Sequence, residues 1–341
     1  MRLSFSSVPL AVVAFATIAT ATPALSDEVN LFSSRQESLI RPILDDFEKD
    51  TGITVNVVFA KSGMLERLKS EGANSPADAV LTVDISRIAA HKEAGVLQSI
   101  QSETLEENIP AHFRDPEGEW YGLSARSRVI FYSKERVEPS ELSTYEDLAD
   151  PKWKGRICVR SSSNAYNQSL LASIIAHDGA EAAEKWAQGI KDNLARKPQG
   201  GDRDQIKAVA AGECDIAIAN TYYYGGMMNS DDPEQVEATK KVALFWPNQD
   251  GRGAHFNISG AGVTKSAKNK EAAIKLIEYL SDTKAQEFYA SSNYEFPVKP
   301  GVELDETVAS WGEFKADEIG LDKVANAQAE AVMIFDRVGW R

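Results

Sequence analysis

Apolar and polar positions along this chain keep two rhythms that take turns. "EVNLFSS" (28–34), "ITVNVVFA" (53–60) and "ADAVLTVD" (77–84) are short runs rich in β-branched and apolar residues, the pattern of buried strands. Between them Leu39, Ile40, Ile43, Leu44 and Phe47 recur at helical spacing before Gly52. "MLERLKSEG" (64–72) and "ISRIAAHKEAG" (85–95) are amphipathic and end on glycine, a common helix stop. This order predicts a parallel sheet covered by helices on both faces.

After "FRDPEGEWYGLS" (113–124) the rhythm restarts. "RVIFYS", "RICVRS" and "DIAIAN" read as strands, with helices near 166–178, 180–191 and 203–211 between the last two. "KVALFWP" closes the block, and "GAHFNISGAGVTKSAKN" leads into amphipathic helices at 269–281 and 283–291. Leu321, Val324, Val332, Phe335 and Val338 predict one C-terminal helix. Two α/β blocks without a flexible linker imply two lobes joined by crossing strands, for which "GLSARSRVIFYS" and "HFNISGAGV" are the candidates. Ligands of such sheets gather beyond the carboxyl ends of the strands, which puts Asn220 to Tyr224 at a cleft.

Composition narrows the class. The chain has 341 residues, 43% hydrophobic and 26% charged, with a net charge of −14. Such a charge argues against nucleic acid or an anionic membrane as partner. Residues 1–26 stand apart: Arg2, the apolar run "VPLAVVAFATIATA", then Ala24 and Ser26 at the positions of a signal-peptide cleavage before Asp27. The run is shorter than the ~20 residues of a spanning helix, so export is expected. Loss of Arg2 with the leader takes the charge from −14 to −15. Cys158 and Cys214 each sit at the edge of an apparent strand. A disulfide is expected if those strands are neighbours, with two inert buried thiols as the alternative.

All ten tyrosines lie at or beyond Tyr121. Tyr222, Tyr223 and Tyr224 follow "DIAIAN" at once, and Tyr166 follows "RICVR" and a polar loop. Cys158 and Cys214 precede Tyr166 and Tyr222 by the same offset, so adjacent parallel strands would bring three phenols to one cleft edge. One tyrosine at a strand end is ordinary packing; three in a row force at least one ring away from the core in extended chain. A bound cation favours the phenolate, a hard oxygen donor suited to ferric ion.

The stretches "NTYYYGGM", "SSSNAYNQSL", "GGDRDQIKAVAAGECDIAIAN" and "GEWYGLSARSRVIFYSK" together resemble the periplasmic ferric-ion-binding proteins of ABC transporters, the FbpA- and Fut-like family. The resemblance covers essentially the whole chain after residue 26. It implies an α/β chain with the type II periplasmic-binding-protein fold, two lobes closing over one Fe(III), and delivery to an inner-membrane ABC permease from the periplasm by a monomeric, non-enzymatic carrier. By position, Tyr222, Tyr223 and Tyr166 match metal ligands, and Tyr224 falls outside the matching pair as a packing residue or one lying behind the metal. Asn220, Ser162 and Asn164 fall where some members hold a carbonate or phosphate, although they could equally cap the Tyr166 helix.

The first lobe departs from the family. Many members carry His-Tyr after "SSR", whereas Gln36-Glu37 follows Ser33-Ser34-Arg35 here. Glu37 is the candidate replacement ligand, with a place at a helix N-terminus as its other reading. Asp84 is a similar candidate, with helix capping against it. Arg35, Arg126 and Arg128 could offset an anion, or be ordinary ion pairs. Asp202 is expected as an N-cap. The expected division is 1–26 leader, 27–125 and 257–300 first lobe, 126–256 second lobe, and 301–341 C-terminal helices.

Two other readings compete. One is an organic ligand boxed by aromatic rings, such as a polyamine, a thiamine-like cation or a sulfonate. The other is an exported enzyme with a tyrosine as general acid or base. His91, His112, His177 and His255 are scattered without metal-ligand spacing, and no nucleophile elbow or phosphate-binding loop appears.

Overall fold

A computed structural model describes residues 28–341; the expected leader lies outside them. The strands are β1 (Glu28–Ser33), β2 (Thr54–Phe59), β3 (Ala79–Val83), β4 (Tyr121–Ser133), β5 (Ile157–Cys158), β6 (Ile216–Asn220), β7 (Val242–Phe245) and β8 (Phe256–Val263). They form a path β2-β1-β3-β8-β4-β6-β5, with β7 also on β4. In the first lobe β1 runs parallel to β2 and β3, as the strand–helix order requires.

β4 joins the lobes. Its first half, Tyr121 to Ser127, pairs antiparallel with β8. Its second half pairs antiparallel with β6, from Arg128↔Asn220 to Tyr132↔Ile216, and with β7. β8 carries the chain back and pairs with β3, Ala79 opposite Val263. Both expected crossings are therefore present. β4 is buried almost throughout, so its polar members need partners inside the protein. Ser127 Oγ donates to the His255 carbonyl (2.9 Å), and Arg126 donates to Ser259 Oγ (3.0 Å).

The single C-terminal helix expected over 321–338 is two helices, Leu321–Asn326 and Gln328–Val338. The break lets the two apolar faces meet different partners. The longer helix packs on helices Ala165–Asp178 and Ala180–Asp192; the shorter touches Ala165–Asp178 and, in the first lobe, Ile85–Glu93. The buried Trp340 then donates from its indole to the Arg160 carbonyl at 3.0 Å. Among the described residues no helix is long and apolar enough to cross a membrane.

Cys158 and Cys214 form a disulfide with their Cα atoms 5.9 Å apart. β5 is parallel to β6, with Cys158 opposite Ala217, so the bridge ties the start of β6 to its neighbour. The linked residues are 56 apart in sequence. Closing a loop of that length restricts the unfolded chain by about 4 kcal/mol in the chain-entropy model. Cys158→Ser with Cys214→Ser should lower unfolding stability by up to about that amount, as read from denaturant midpoints.

Candidate metal centre

Tyr222 and Tyr223 occupy the first turn of helix Thr221–Met228, directly after β6. The chain is helical here, not extended as the sequence suggested. Successive residues therefore splay by about 100° around an axis instead of alternating. Two rings reach the cleft and the third, Tyr224, turns into the core. Its hydroxyl donates to the Thr239 and Val242 carbonyls (3.2 and 2.9 Å), its ring lies 5.0 Å from Phe131, and burial pushes its phenol up to about 12. Gly225 lets this helix lie close to the following lobe segment: a Cβ there would stand 2.6 Å from Tyr294 Cβ.

Tyr166 sits in the first turn of helix Ala165–Asp178, which the Asn164 side chain caps through the Asn167 amide (3.4 Å). Two helix N-termini thus lie side by side at the ends of the adjacent parallel strands β5 and β6. The Tyr222 hydroxyl donates to the Tyr166 hydroxyl at 3.2 Å, and the Tyr222 and Tyr223 rings are 4.2 Å apart. All three rings line one cavity of about 400 Å³ between the lobes.

Charge in that cavity is lopsided. Among the described residues, Arg35, Lys61, Arg87, Arg126 and Arg160 line it against one carboxylate, Glu295. Arg35 forms a buried ion pair with Glu295 and donates to Ser259 Oγ at 2.8 Å. Arg126 shares Ser259, stands 5.9 Å from the Tyr166 ring, and has a buried Nε without a hydrogen-bond partner among the described residues. Arg160 lies 5.7 Å from the same ring and pairs with Asp202 at 3.3 Å. Arg203 lies 5.0 Å from the Tyr223 ring.

Desolvation raises the Tyr222 phenol well above its ordinary value, and the neighbouring phenols of Tyr166 and Tyr223 add to it while Arg126 partly offsets it. Tyr223 is raised too, by desolvation first and then by Tyr166 and Asp202, against the pull of Arg160. Without a cation both phenols are neutral near pH 7. A cation at their oxygens reverses the preference, because it stabilises the charge that burial penalises.

Several expected residues stand elsewhere. Glu37 lies in a short 3-10 turn with its carboxylate 62% exposed, 3.6 Å from Arg41, and does not line the cavity; Gln36 does. Arg128 is turned into the second lobe, donating to Asp202 and Asn220 (3.1 Å each) and to Asn167 (2.6 Å). That network buries Asn220 behind the cavity wall. Asp202 does not cap its helix: Gly201 is the capping residue, Asp204 accepts from the Gly201 amide at 2.6 Å, and Asp202 is the buried partner of Arg128 and Arg160. Ser162 uses its carbonyl to hold Gln168, whereas Ser161 and Ser163 line the cavity with Asn164.

Asp84 is fully buried and caps helix Ile85–Glu93 through the Ser86 amide (3.0 Å). It also accepts from Ser169 Oγ (2.8 and 2.9 Å) and from Asn257 (2.9 Å). Its φ of 97° is costly for a residue other than glycine, and these bonds hold it there. Asp84 therefore joins the first lobe to the helix that carries Tyr166, away from the cavity. Lys61, Arg87, Arg160 and Glu295 are cavity residues that sequence reading did not single out. No local stretch flags them: Glu295, for one, meets Arg35 across 260 positions.

Residues 74–316 match the family model described as bacterial extracellular solute-binding protein, and the chain belongs to that family. Iron uptake protein A1 of Synechocystis sp. is 51% identical over 321 residues, covering 94% of this chain and 89% of its own. The major ferric iron-binding protein of Neisseria meningitidis is 28% identical, covering 96% and 97%. The solved structure of Trichodesmium IdiA (FutA) in complex with iron and citrate ligands superposes with a TM-score of 0.88 at 50% identity, over 92% of this chain and 100% of that one. The two-lobed type II binding-protein fold is shared with these neighbours.

A raised phenol has a direct consequence for stability. Between the unfolded value of about 10 and the higher folded one, the unfolded chain has released a proton that the folded chain keeps, so stability falls as pH rises. The metal-free protein should show no tyrosine-linked change below about pH 9 and a decline above about pH 10. In Tyr222→Phe that decline should be shallower, as denaturant midpoints across this range will show.

Proposed function

We propose that this chain is a periplasmic carrier that captures Fe(III) through Tyr166, Tyr222 and Tyr223 and delivers it to an inner-membrane ABC permease. The observation that carries the reading is the convergence of three phenols from two neighbouring helix N-termini on one inter-lobe cavity. Similarity to iron uptake and ferric iron-binding relatives supports the choice of metal. Residues 27–125 and 257–300 act as the first lobe, 126–256 as the second, and 301–341 brace them, after removal of a leader ending near Ser26.

In this reading the second lobe supplies every protein ligand. Three phenolates neutralise Fe³⁺, and the excess cationic charge of the cavity is left for an anion on the remaining metal positions. Arg126 and Arg35, which line the cavity with Ser161, Ser163 and Asn164, are the candidate donors to it. Carbonate and phosphate fit those donors. The same charge disfavours a polyamine or a thiamine-like cation, although a thiamine-binding periplasmic protein is 23% identical over 264 residues.

Ferric ion supplied with bicarbonate should produce a visible phenolate charge-transfer band. Tyr222→Phe or Tyr223→Phe should weaken the band and lower affinity by more than the ~10–100-fold typical of losing a group behind the metal. Glu37→Gln should leave both unchanged. A protein that stays colourless and is stabilised by an organic ligand would overturn the assignment.

A further inference from the structure

The two helices that carry the tyrosines each rest on a residue of the first lobe. In helix Ala165–Asp178 the point of rest is Ser169, and in helix Thr221–Met228 it is Gly225. Each falls one helical turn beyond a tyrosine, Tyr166 or Tyr222, and so on the same helix face as that ring. Their first-lobe partners are Asp84 and Tyr294, and none of these four residues lines the cavity.

The Ser169 hydroxyl is buried and donates to the Asp84 carboxylate, 2.8 and 2.9 Å from its two oxygens. Asp84 in turn is fixed to the crossing strand β8. Asn257 donates to its carboxylate at 2.9 Å, and its own amide donates to the Ile258 carbonyl at 2.9 Å. Asp84 makes no ion pair among the described residues, so Ser86, Ser169 and Asn257 are the side chains that meet its carboxylate.

Gly225 meets Tyr294, the residue that ends helix Thr283–Asn293. A Cβ at position 225 would stand 2.6 and 2.7 Å from Tyr294 Cβ and Cγ, closer than packed carbons approach. Tyr294 is not free to retreat. The next residue, Glu295, is the buried partner of Arg35, and Phe296 exchanges two backbone hydrogen bonds of 2.8 Å with Ala125 of β4. Asp84 and Tyr294 also share a backbone property, a positive φ of 97° and 56°, found in one other non-glycine residue of the described chain, Asn248. Such conformations cost energy, persist where the surroundings impose them, and gather at functional sites.

We propose that Asp84 and Tyr294 are positioning residues, through which the first lobe sets the mutual placement of Tyr166 and Tyr222 from behind the rings. A movement of the first lobe then shifts both seats, and with them the two hydroxyls that now stand 3.2 Å apart. Lobe arrangement and phenol spacing become one variable. The consequence for iron rests on the ferric reading of the cleft; the seating does not.

Ferric ion supplied with bicarbonate, in competition with EDTA, reads the consequence for binding. Ser169→Ala should keep the phenolate band and weaken affinity about tenfold, the scale of losing a group that orients a ligand. Gly225→Ala should weaken it at least as much. Adding Tyr294→Gly, which removes the obstructing atoms and accepts the positive φ, should bring affinity back toward the parent value. A general loss of stability would not be rescued by truncating Tyr294. Parental affinity in Ser169→Ala, or a double variant no better than Gly225→Ala, overturns the proposal. Crystals of the metal-free proteins read the seating without iron: the Tyr166–Tyr222 hydroxyl separation should lengthen in Gly225→Ala and return in the double variant. A separation unchanged in Gly225→Ala overturns the seating. A parent protein without the band, whose variants still show those shifts, would remove the ferric reading and leave the seating standing.

Discussion

The parallel pairing of β5 with β6 is the constraint on which the site depends. Those two short strands, tied by Cys158–Cys214, deliver their chains to neighbouring helix N-termini, and each helix places its tyrosines in the first turn. Three hydroxyl-bearing rings meet because two strands are adjacent, not because any loop folds over to bring them together. A site built on strand ends and helix starts is held more rigidly than one on loops. The crossing strand β4 passes behind it and anchors the arrangement through Arg128, whose guanidinium ties Asp202, Asn220 and Asn167 into one buried network.

Electrostatics give the site its selectivity for a loaded state. The chain is strongly acidic overall, yet the inter-lobe cavity is walled by arginines and a lysine. Neutral phenols in such a place are poor hosts for an organic cation. In the proposed reading a highly charged metal takes their protons and an anion balances the arginines. The first lobe contributes Arg35, Lys61 and Arg87 to the cavity wall and no carboxylate other than Glu295 among the described residues.

Much of this was legible in the sequence, and the failures share a cause. Strand and helix order, the two crossings, the convergence of Tyr166 with Tyr222 and Tyr223, and the disulfide all follow from local pattern and matched spacing. Tyr224 reads from the sequence as a packing residue or one lying behind the metal; its ring turns into the core because the backbone from Thr221 is helical where extended chain was expected. Glu37, Asn220 and Arg128 each have two readings, one at the ligand and one in a helix terminus, cap or ion pair, because short-range position cannot say which side of a wall a residue faces. Asp202 looked like a cap because Asp commonly is one; its buried partners, Arg128 and Arg160, lie 74 and 42 positions away. Glu295 was missed for the same reason, since its pairing with Arg35 across 260 positions leaves no periodic trace; Lys61 and Arg87 reach the cavity through the packing of the first lobe, which local pattern does not encode.

The central claim is that three phenol oxygens from one lobe hold the metal. Anomalous scattering at the iron edge, from crystals of the iron-loaded protein, tests it most directly. The account predicts one strong peak within bonding distance of the Tyr166, Tyr222 and Tyr223 oxygens and none at Glu37 or Asp84. A peak seated on carboxylates, or anywhere beyond reach of those three rings, would contradict it.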